Sequence, residues 1–457
     1  MLELKPEKRK KQKMSNIRVI AISFLAVILT GTLLLCLPFS SASGTWSNPI
    51  DCLFTATTAT CVTGLVVYDT PVYWSTFGQV VLLLLIQVGG IGFMTLITAV
   101  SFFVTRQINL HERRMIQESS GSLHLGGATG TFAQILIGTF VIEAIGAGLL
   151  SIRFYPMYGG KGIWYAVFHA VSAFCNAGID IIGLDAAGVG NSLVNFRDDP
   201  LINFTVMFLI IMGGLGFLVW NDLLNSGFRW KKMKLHTKMV LAITGSLILI
   251  GAIFFFISEY NAAFAGLPFG SRVMASFFQS VTTRTAGFFT VPQSSLSDAG
   301  ILMALVLMLI GGSPGSTAGG VKTTTFAVLF LSIVRLSKNR EDVVVFKRRI
   351  HDRMVRQAGA VIAVYVGLTL AASMLICMLE VGNPAAGMRD VLFETVSAVA
   401  TVGLSTGITP TLTYASKLIL ILLMYTGRLG GMSLFLALAD ARETSLLERP
   451  TEKILIG

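Results

Sequence analysis

Charged residues are scarce in this sequence, since Asp, Glu, Lys and Arg together account for 13% of its 457 residues. Hydrophobic residues account for 53%, and the mean hydropathy is +0.74. These values lie far from those of soluble domains, and many apolar segments approach the roughly 20 residues that cross a bilayer. The composition therefore predicts a polytopic membrane protein whose surroundings are the lipid bilayer.

The motifs of metal and catalytic sites are also missing. The five cysteines form no CxxC pair, and the five histidines form no HExxH or Ser-His-Asp grouping. We therefore expect no disulfide framework, no zinc site and no enzymatic activity. A membrane scaffold or enzyme is the alternative from another functional class; it predicts polar groups at catalytic spacing, and the sequence shows none.

The net charge of +11 comes from a few clusters of basic residues. Lys and Arg concentrate in residues 5–13, 106–114, 229–238 and 335–356 and in the C-terminal tail, while the segments between hold few. Basic loops of membrane proteins lie on the cytoplasmic side. The pattern predicts a multi-pass protein of the plasma membrane with both termini in the cytoplasm, and it argues against a nucleic-acid partner.

One spacing of residues occurs four times in the chain. An aromatic residue stands ten residues before a glycine, and a large apolar residue follows that glycine. The pairs are Phe54 and Gly64, Phe168 and Gly178, Phe277 and Gly287, and Phe393 and Gly403, with the glycines 114, 109 and 116 residues apart. Such a period suits a repeated subdomain: a helix, a half-span helix leading into a pore loop, and a return helix.

We therefore expect an all-α polytopic membrane protein with eight transmembrane helices, in which four tandem helix/pore-loop/helix repeats surround a pseudo-fourfold central pore. The repeats are predicted at residues 17–129, 130–236, 237–355 and 356–441, between a basic cytosolic N-terminus at 1–16 and a cytosolic tail at 442–457. The return helices are predicted at about 76–104, 200–224, 299–334 and 415–440.

The four loops are predicted to form an ion filter. Irregular backbone at membrane depth is tolerated only where protein or water covers it, so the loops should meet around one cavity. Glycine permits positive φ, and rings of carbonyl groups can replace the water shell of a cation. Helix packing or a turn is the alternative for any single glycine, but the fourfold register favours the pore. The predicted lining residues are Val62, Thr63, Gly64, Asn176, Ala177, Gly178, Thr285, Ala286, Gly287, Thr401, Val402 and Gly403.

Residues 311–325 interrupt the third return helix with one proline and five glycines. The segment nearly matches a phosphate-binding loop, but its lysine falls one residue late and no soluble strand precedes it, so we expect no nucleotide on this chain. A flexible gate below the filter is one interpretation, and a passive kink is the other. The gate residues would be Gly311, Gly312, Pro314, Gly315, Gly319, Gly320 and Lys322.

Two arginines lie in apolar surroundings. Arg428 falls inside the last return helix, where a charge costs at least about 2.5 kcal/mol. Two interpretations remain open: a positive barrier that borders the pore below the filter, or a structural ion pair with a partner such as Glu143. Arg284, beside the third filter glycine, is expected to brace the filter by donating to backbone carbonyls.

The motifs TCVTGL, CNAGI, TRTAGF and TVGLSTG, with GGSPGSTAGGVKTTT in the third return helix, resemble those of the Trk/Ktr/HKT superfamily of potassium transporters. The resemblance covers almost the whole chain and is strongest to the KtrB-type membrane subunit. It implies that potassium is the transported ion, that uptake runs through the four-loop filter, and that sodium stimulates uptake. It also implies homodimers and a cytosolic ring of nucleotide-binding, KtrA-type regulatory subunits.

The resemblance leaves a closer alternative within transport, a sodium or non-selective cation channel. Sodium-preferring members of the superfamily often carry serine at the first filter glycine. This chain has Gly64 at that position, which favours potassium. Because each loop has one glycine and lacks TVGYG, a shorter filter than that of potassium channels is expected.

Overall fold

The computed structural model describes residues 16–92, 128–182, 192–339, 342–346 and 348–430. The described helices fall into four consecutive groups, which we call units one to four. Each unit has a first helix, a shorter half-span helix, an extended filter loop and a return helix. Of the predicted cytosolic ends, residues 1–15 and 442–457 lie outside the described residues.

Unit one illustrates how local sequence sets the helix boundaries. Asn48 caps the half-span helix by accepting from Ile50 N, and Pro49 takes the first helical position, where a missing N–H costs nothing. Ser75 caps the return helix, which ends at Gly92 with φ +89°. The predicted continuation to about residue 104 lies outside the described residues. The helices are α1 (Asn16–Cys36), α2 (Pro49–Thr60), the single turn α3 (Thr70–Tyr73) and α4 (Thr76–Ile91).

Unit two corrects the prediction of one continuous return helix over about 200–224. Two helices meet there at 93°, and the residue between them is Gly216, with φ +93°. A glycine in this conformation ends the first helix, and Phe217 N then donates to Gly315 O of unit three at 2.9 Å. The helices are α5 (Ala128–Tyr158), α6 (Gly160–Phe174), α7 (Pro200–Leu215) and α8 (Phe217–Ser226).

Units three and four differ in their return helices. In unit three the return helix is interrupted, as the sequence predicts, and a two-stranded antiparallel ribbon, β1 (Val344–Val345) with β2 (Arg348–Arg349), follows it. In unit four the described return helix ends at Leu429. Unit three contains α9 (Leu235–Ser258), α10 (Phe269–Thr282), α11 (Asp298–Leu309) and α12 (Thr323–Ser337); unit four contains α13 (Asp352–Leu379), α14 (Met388–Ala400) and α15 (Tyr414–Leu429).

Four described helices are long and apolar enough to cross a bilayer: Arg18–Cys36, Ile135–Tyr158, Leu235–Ser258 and Asp352–Leu379. They belong to the first helices of the four units. The bent pair α7 and α8 meets the same criterion when taken together. The helices α4, α11 and α12 are apolar but shorter, so the predicted total of eight spans stays a prediction.

Packing between units follows one cyclic order. Each return helix contacts the half-span helix of the following unit: α4 contacts α6, α7 contacts α10, and α11 contacts α14. The return helix α15 of unit four contacts α2 of unit one, which closes the order. Each half-span helix is therefore packed against the return helix of the preceding unit, which links the four units in a ring.

Two buried glutamates tie first helices to return helices. Glu259, which follows α9, accepts from Ser297 N and Oγ at 3.1 and 2.5 Å. Glu380, which follows α13, accepts from Thr413 N and Oγ1, both at 2.8 Å. Ser297 and Thr413 are the N-caps of α11 and α15. The same type of contact, from a buried glutamate to an N-cap residue, therefore occurs once in unit three and once in unit four.

Candidate functional site

The four filter glycines lie against one another. A methyl group placed on Gly287 would be 2.9 Å from Gly178 Cα and 2.8 Å from Val402 O. One placed on Gly403 would be 2.8 Å from Gly64 Cα. Because Cβ atoms do not approach backbone so closely, any side chain at these positions would push the loops apart. Glycine is therefore required here by contact between units as well as by backbone conformation.

The carbonyl that precedes each glycine lies against the glycine of the unit before it, in the same cyclic order as the helices. Each of these oxygens would contact a Cβ placed on that glycine. The four contacts are Ala177 O with Gly64, Ala286 O with Gly178, Val402 O with Gly287, and Thr63 O with Gly403. The structure thus brings together the filter segments that the sequence singles out, while their binding of an ion stays a prediction.

Backbone conformation repeats in all four loops. The filter glycines have φ of +99°, +65°, +84° and +89° in chain order. The residue two positions earlier is also left-handed in every loop, although none is glycine: Val62 (+56°), Asn176 (+60°), Thr285 (+67°) and Thr401 (+51°). Such conformations cost roughly 1 kcal/mol or more per residue, so the surrounding contacts must hold them.

Hydroxyl groups in the half-span helices provide some of these contacts. Thr58 Oγ1 accepts from Gly64 N at 2.9 Å, and Ser397 Oγ accepts from Gly403 N at 3.0 Å. In the other two loops the hydroxyl donates to the carbonyl after the glycine: Ser172 to Ile179 O at 2.7 Å, and Thr282 to Phe288 O. These residues were not identified from the sequence. The pattern that would have identified them is a hydroxyl residue five or six positions before each filter glycine.

The third loop departs from the predicted spacing by one residue. Phe277 is 37% exposed, whereas its neighbour Phe278 is fully buried, as Phe54, Phe168 and Phe393 are. The buried aromatic of unit three is therefore nine residues before its glycine, not ten. The backbone bond that closes this loop is also one residue shorter, because Ala286 N donates to Thr282 O at 2.9 Å whereas Thr63 N reaches back to Thr58 O at 2.8 Å.

Several polar atoms of the filter residues are buried and have no hydrogen-bond partner within the described residues. They are Thr63 Oγ1, Thr285 Oγ1, Thr401 Oγ1 and both polar atoms of Asn176. Buried polar groups are normally paired, so these are the filter side-chain atoms that remain available to a ligand. Most of these atoms are oxygens, which are the ligands that hard cations prefer.

The predicted gate is the non-helical segment at 310–322, between α11 and α12. It lies against the fourth filter loop, because a methyl group on Gly319 would overlap Thr401 Oγ1 and be 2.8 Å from Ala400 O. It also contacts the C-terminal end of the half-span helix α6, since Thr317 Oγ1 donates to Phe174 O at 3.0 Å. All the predicted gate residues lie in this segment; the last three residues of the predicted range 311–325 belong to α12.

Backbone bonds hold this segment in place. Ser313 N and Thr317 N donate to Gly214 O and Gly213 O at 3.0 and 3.2 Å, at the end of α7. Within the segment, Gly311 N donates to Val321 O at 2.9 Å. Lys322 Nζ donates to Ala318 O at 2.7 Å. These hydrogen bonds give the segment a defined conformation, which is more than a bend between two helices.

Arg428 connects the segment at 310–322 to unit one. Its guanidinium donates to Thr317 O and to Gly89 O, with a longer contact of 3.5 Å to Gly90 O. Glu143, the partner considered for an ion pair, instead accepts from Gln87 Nε2 at 3.1 and 3.2 Å. Of the two interpretations, the ion pair with Glu143 is not formed among the described residues.

The contacts of Arg284 differ from those predicted. Its Nη2 donates to Thr244 Oγ1 of α9 at 3.3 Å, and its Nε has no partner within the described residues. The expected bonds to filter carbonyls are absent there. The left-handed residue that follows, Thr285, redirects the chain, so sequence adjacency to Gly287 did not determine where this side chain lies.

A buried ion pair and a buried carboxylate near the loops were missed by sequence reasoning. Lys417 Nζ of α15 contacts Asp51 Oδ1 of α2 at 2.9 Å, and the side chains are 6% and 8% exposed. Glu394 of α14 is 1% exposed. A charge inside a short apolar helix was the available signal for Lys417 and Glu394. Asp51 lies 366 residues from Lys417, and the hydroxyl partners of Glu394 lie on the loop that follows its own helix.

Comparison with known proteins gives the same family throughout. The family model TrkH, described as a cation transport protein, matches residues 3–445. The potassium/sodium uptake protein NtpJ of Enterococcus hirae is 39% identical, with 99% of each chain covered. Ktr system potassium uptake protein B is 36% identical in Bacillus subtilis, with 96% of each chain covered, and 37% identical in Vibrio alginolyticus, with 98% of this chain and 97% of that protein covered.

The fold has a solved counterpart. The crystal structure of the potassium transporter TrkH from Vibrio parahaemolyticus superposes with a TM-score of 0.72 at 17% identity. The match covers 95% of this chain and 87% of that chain.

Proposed function

The chain belongs to the TrkH family of cation transport proteins, which are membrane transporters and not enzymes, and we propose that it takes up potassium across the plasma membrane. Uptake would run through a filter lined by the carbonyls of the four loops. The predicted filter comprises Val62, Thr63 and Gly64; Asn176, Ala177 and Gly178; Thr285, Ala286 and Gly287; and Thr401, Val402 and Gly403.

The observation that carries this proposal is the cyclic contact between loops, in which the carbonyl before each glycine lies against the glycine of the preceding unit. This arrangement supports a pseudo-fourfold pore of eight spans formed by four repeats. Each half-span helix also ends next to its filter loop, so the partly negative C-terminal ends of four helices face the ring. Carbonyl oxygens and helix ends both stabilise a cation that has lost its water.

The membrane potential supplies the driving force in this proposal. One elementary charge moving through 100 mV gains about 2.3 kcal/mol. A potential of about 180 mV would then sustain roughly a thousandfold potassium gradient. No ATP is needed for such uptake, and sodium would act as a stimulating ion.

We propose that the segment at 310–322 is the gate. Its contacts with Thr401 and Phe174 put it against the fourth filter loop and the end of the second half-span helix, and a small rotation of its glycine backbone would move it from that position. Arg428 would act as the barrier of the closed state, because its guanidinium is held beside the gate by Thr317 O. A fixed positive charge there lowers the occupancy of a cation below the filter.

The regulatory assembly is also a proposal. The Bacillus subtilis and Vibrio alginolyticus relatives are named as components of a Ktr system. We propose that this chain likewise forms a homodimer on a cytosolic ring of nucleotide-binding subunits, with both termini in the cytoplasm. The basic segments at the N-terminus and at 335–356 would face that ring.

Sodium or non-selective conduction is the competing function, and the NtpJ relative, named for both potassium and sodium, favours testing it. The experiment is uptake of potassium, rubidium and sodium into liposomes that contain the purified protein. Gly287→Ser tests the filter, because its Cβ would lie 2.8 Å from Val402 O. Gly266→Ser is the matched control: it lies in the same unit at φ +78°, with no atom within 4 Å of a new Cβ.

We expect the wild type and Gly266→Ser to prefer potassium and rubidium to sodium. Gly287→Ser should reduce that preference by a factor of at least about ten, which corresponds to about 1.4 kcal/mol. Equal permeation of the three ions through the wild-type protein would replace the potassium proposal with the non-selective one. An identical effect of both substitutions would show that backbone strain, and not the ring, is responsible.

A further inference from the structure

Glu394 is the buried carboxylate closest in sequence to the fourth filter loop. It lies in the half-span helix α14 immediately after Phe393, and 1% of it is exposed. Burying a carboxylate costs several kcal/mol unless hydrogen bonds or an opposite charge compensate for it. Among the described residues, no Lys or Arg forms an ion pair with Glu394, so its compensation comes from hydrogen bonds.

Two hydroxyl groups beyond the filter glycine provide that compensation. Ser405 Oγ donates to Glu394 Oε1, and Thr409 Oγ1 donates to Oε2 at 3.0 Å. Ser405 Oγ in turn accepts from Gly407 N at 2.8 Å. Because Ser405 is two residues after Gly403, the carboxylate lies beside the part of the loop that leads away from the glycine ring. Gly319 of the segment at 310–322 instead lies against Ala400 and Thr401, which precede the glycine.

The corresponding positions in the other units carry no carboxylate. The residue after the buried aromatic is Thr55 in unit one, His169 in unit two and Gln279 in unit three. Thr55 and Gln279 satisfy their side chains locally, by donating to Asp51 O at 2.8 Å and to Gln293 Oε1 at 2.7 Å. A carboxylate at one of four equivalent positions is therefore not needed to build the half-span helix or its loop.

We propose that Glu394 is an electrostatic positioning residue for the incoming cation, an inference that rests on the proposed uptake function. Its carboxylate lies beside the part of the fourth loop that follows Gly403, which we call the outer end of that loop, and it has no basic partner within the described part of the chain. Charge held in a region of low dielectric acts on an ion more strongly than the same charge in water. Glu394 therefore raises the occupancy of a monovalent cation at the outer end of the filter.

A purely structural role is the competing explanation, since the same hydrogen bonds brace Ser405 and Thr409. Glu394→Gln separates the two roles, because it keeps the shape and can keep hydrogen bonds to the hydroxyls while it removes the charge. Glu394→Asp keeps the charge on a shorter side chain. Asp390→Asn is the matched control: it removes one negative charge from the same helix, one turn earlier, at a half-exposed position.

The readout is rubidium uptake into liposomes as a function of external rubidium concentration. Loss of an interaction that stabilises the bound ion and the transition state equally raises KM and leaves the maximal rate nearly unchanged. We expect Glu394→Gln to raise KM about tenfold, which corresponds to about 1.4 kcal/mol. Glu394→Asp and Asp390→Asn should remain within about threefold of the wild type, less than 0.7 kcal/mol on the same scale.

A second measurement covers variants that transport poorly. Potassium should raise the thermal midpoint of the detergent-solubilised wild type, and the concentration for half of that effect should increase about tenfold in Glu394→Gln. The electrostatic role would be overturned if the wild type and Glu394→Gln needed the same potassium concentration for half of the effect. It would also be overturned if Glu394→Gln lowered only the thermal midpoint measured without potassium. If the wild type itself transports no potassium or rubidium, the proposed function fails, whereas normal wild-type uptake with an unaltered Gln variant rejects only this inference.

Discussion

The buried ion pair between Asp51 and Lys417 is expected to hold the first and last units together. Asp51 lies in the first turn of α2 and Lys417 in the first turn of α15, with Nζ to Oδ1 at 2.9 Å. Tyr68 donates to the other oxygen of Asp51 at 2.8 Å. Lys417 has one further contact, the Tyr414 ring at 5.5 Å. The two partners therefore differ in what remains when the other is removed.

The magnitude follows from this difference. At an effective dielectric constant of about 20, charges this close attract by about 6 kcal/mol, and desolvation offsets much of that gain. Asp51→Asn leaves a buried ammonium group without an anion, so the free energy of unfolding should fall by about 3–5 kcal/mol. Lys417→Met leaves Asp51 with the Tyr68 hydroxyl and should cost less. The double variant should recover at least about 1 kcal/mol of the summed loss.

The assay is the free energy of unfolding in mixed micelles, measured for both single variants and the double variant. The control is the exposed pair of Arg349 and Asp342, at 2.8 Å with side chains 63% and 37% exposed. Asp342→Asn should change stability by about 1 kcal/mol or less. Additive losses in the double variant, or equal losses from Asp51→Asn and Asp342→Asn, would refute the reasoning.

Arg428→Gln should raise rubidium flux severalfold in well-folded protein, because the positive charge beside Thr317 is lost; an unchanged or lower flux removes the barrier role. Glu380 gives a pH dependence: burial raises its pKa, but hydrogen bonds from Asn383, Ser416 and Thr413 outweigh this and bring the pKa to about 2. A carboxyl with a lowered folded-state pKa stabilises the fold above its unfolded value of about 4.3 and loses that stabilisation as pH falls toward 2. Glu380→Gln should therefore lower the thermal midpoint at pH 7, with the difference from the wild type shrinking below about pH 4; a difference independent of pH would contradict this.

Most of the candidate site could be predicted from local sequence. The glycines were recognisable because a positive φ and a close approach of backbone both exclude a side chain, and this requirement recurs at a near-constant period. The interruption of the third return helix was recognisable because so polar a break, with one proline and five glycines, is rarely carried inside a membrane span. The one-residue departure at Phe278 was not, since two adjacent phenylalanines fit the pattern equally well and only packing selects between them.

The environments of the arginines could not be predicted in the same way. Arg284 lies next to a filter residue in sequence but donates to Thr244 of another helix. Arg428 contacts carbonyls more than a hundred residues away in two different units. A long side chain reaches several helices, and its partner depends on how the helices are arranged around it. The bend at Gly216 was missed for a similar reason, because a single glycine in an apolar run is also compatible with a straight helix.

The sequence by itself determined that this is a membrane protein built from four related units, because hydropathy and glycine spacing are properties of the chain read in order. It also identified which backbone positions must be free of side chains. Only the tertiary structure decided the cyclic order of the units, the partners of the buried charges and the position of the segment at 310–322 against the fourth loop and the second half-span helix. Those features arise from contacts between residues far apart in the chain, and hydrogen bonds and ion pairs act over a few ångströms in space.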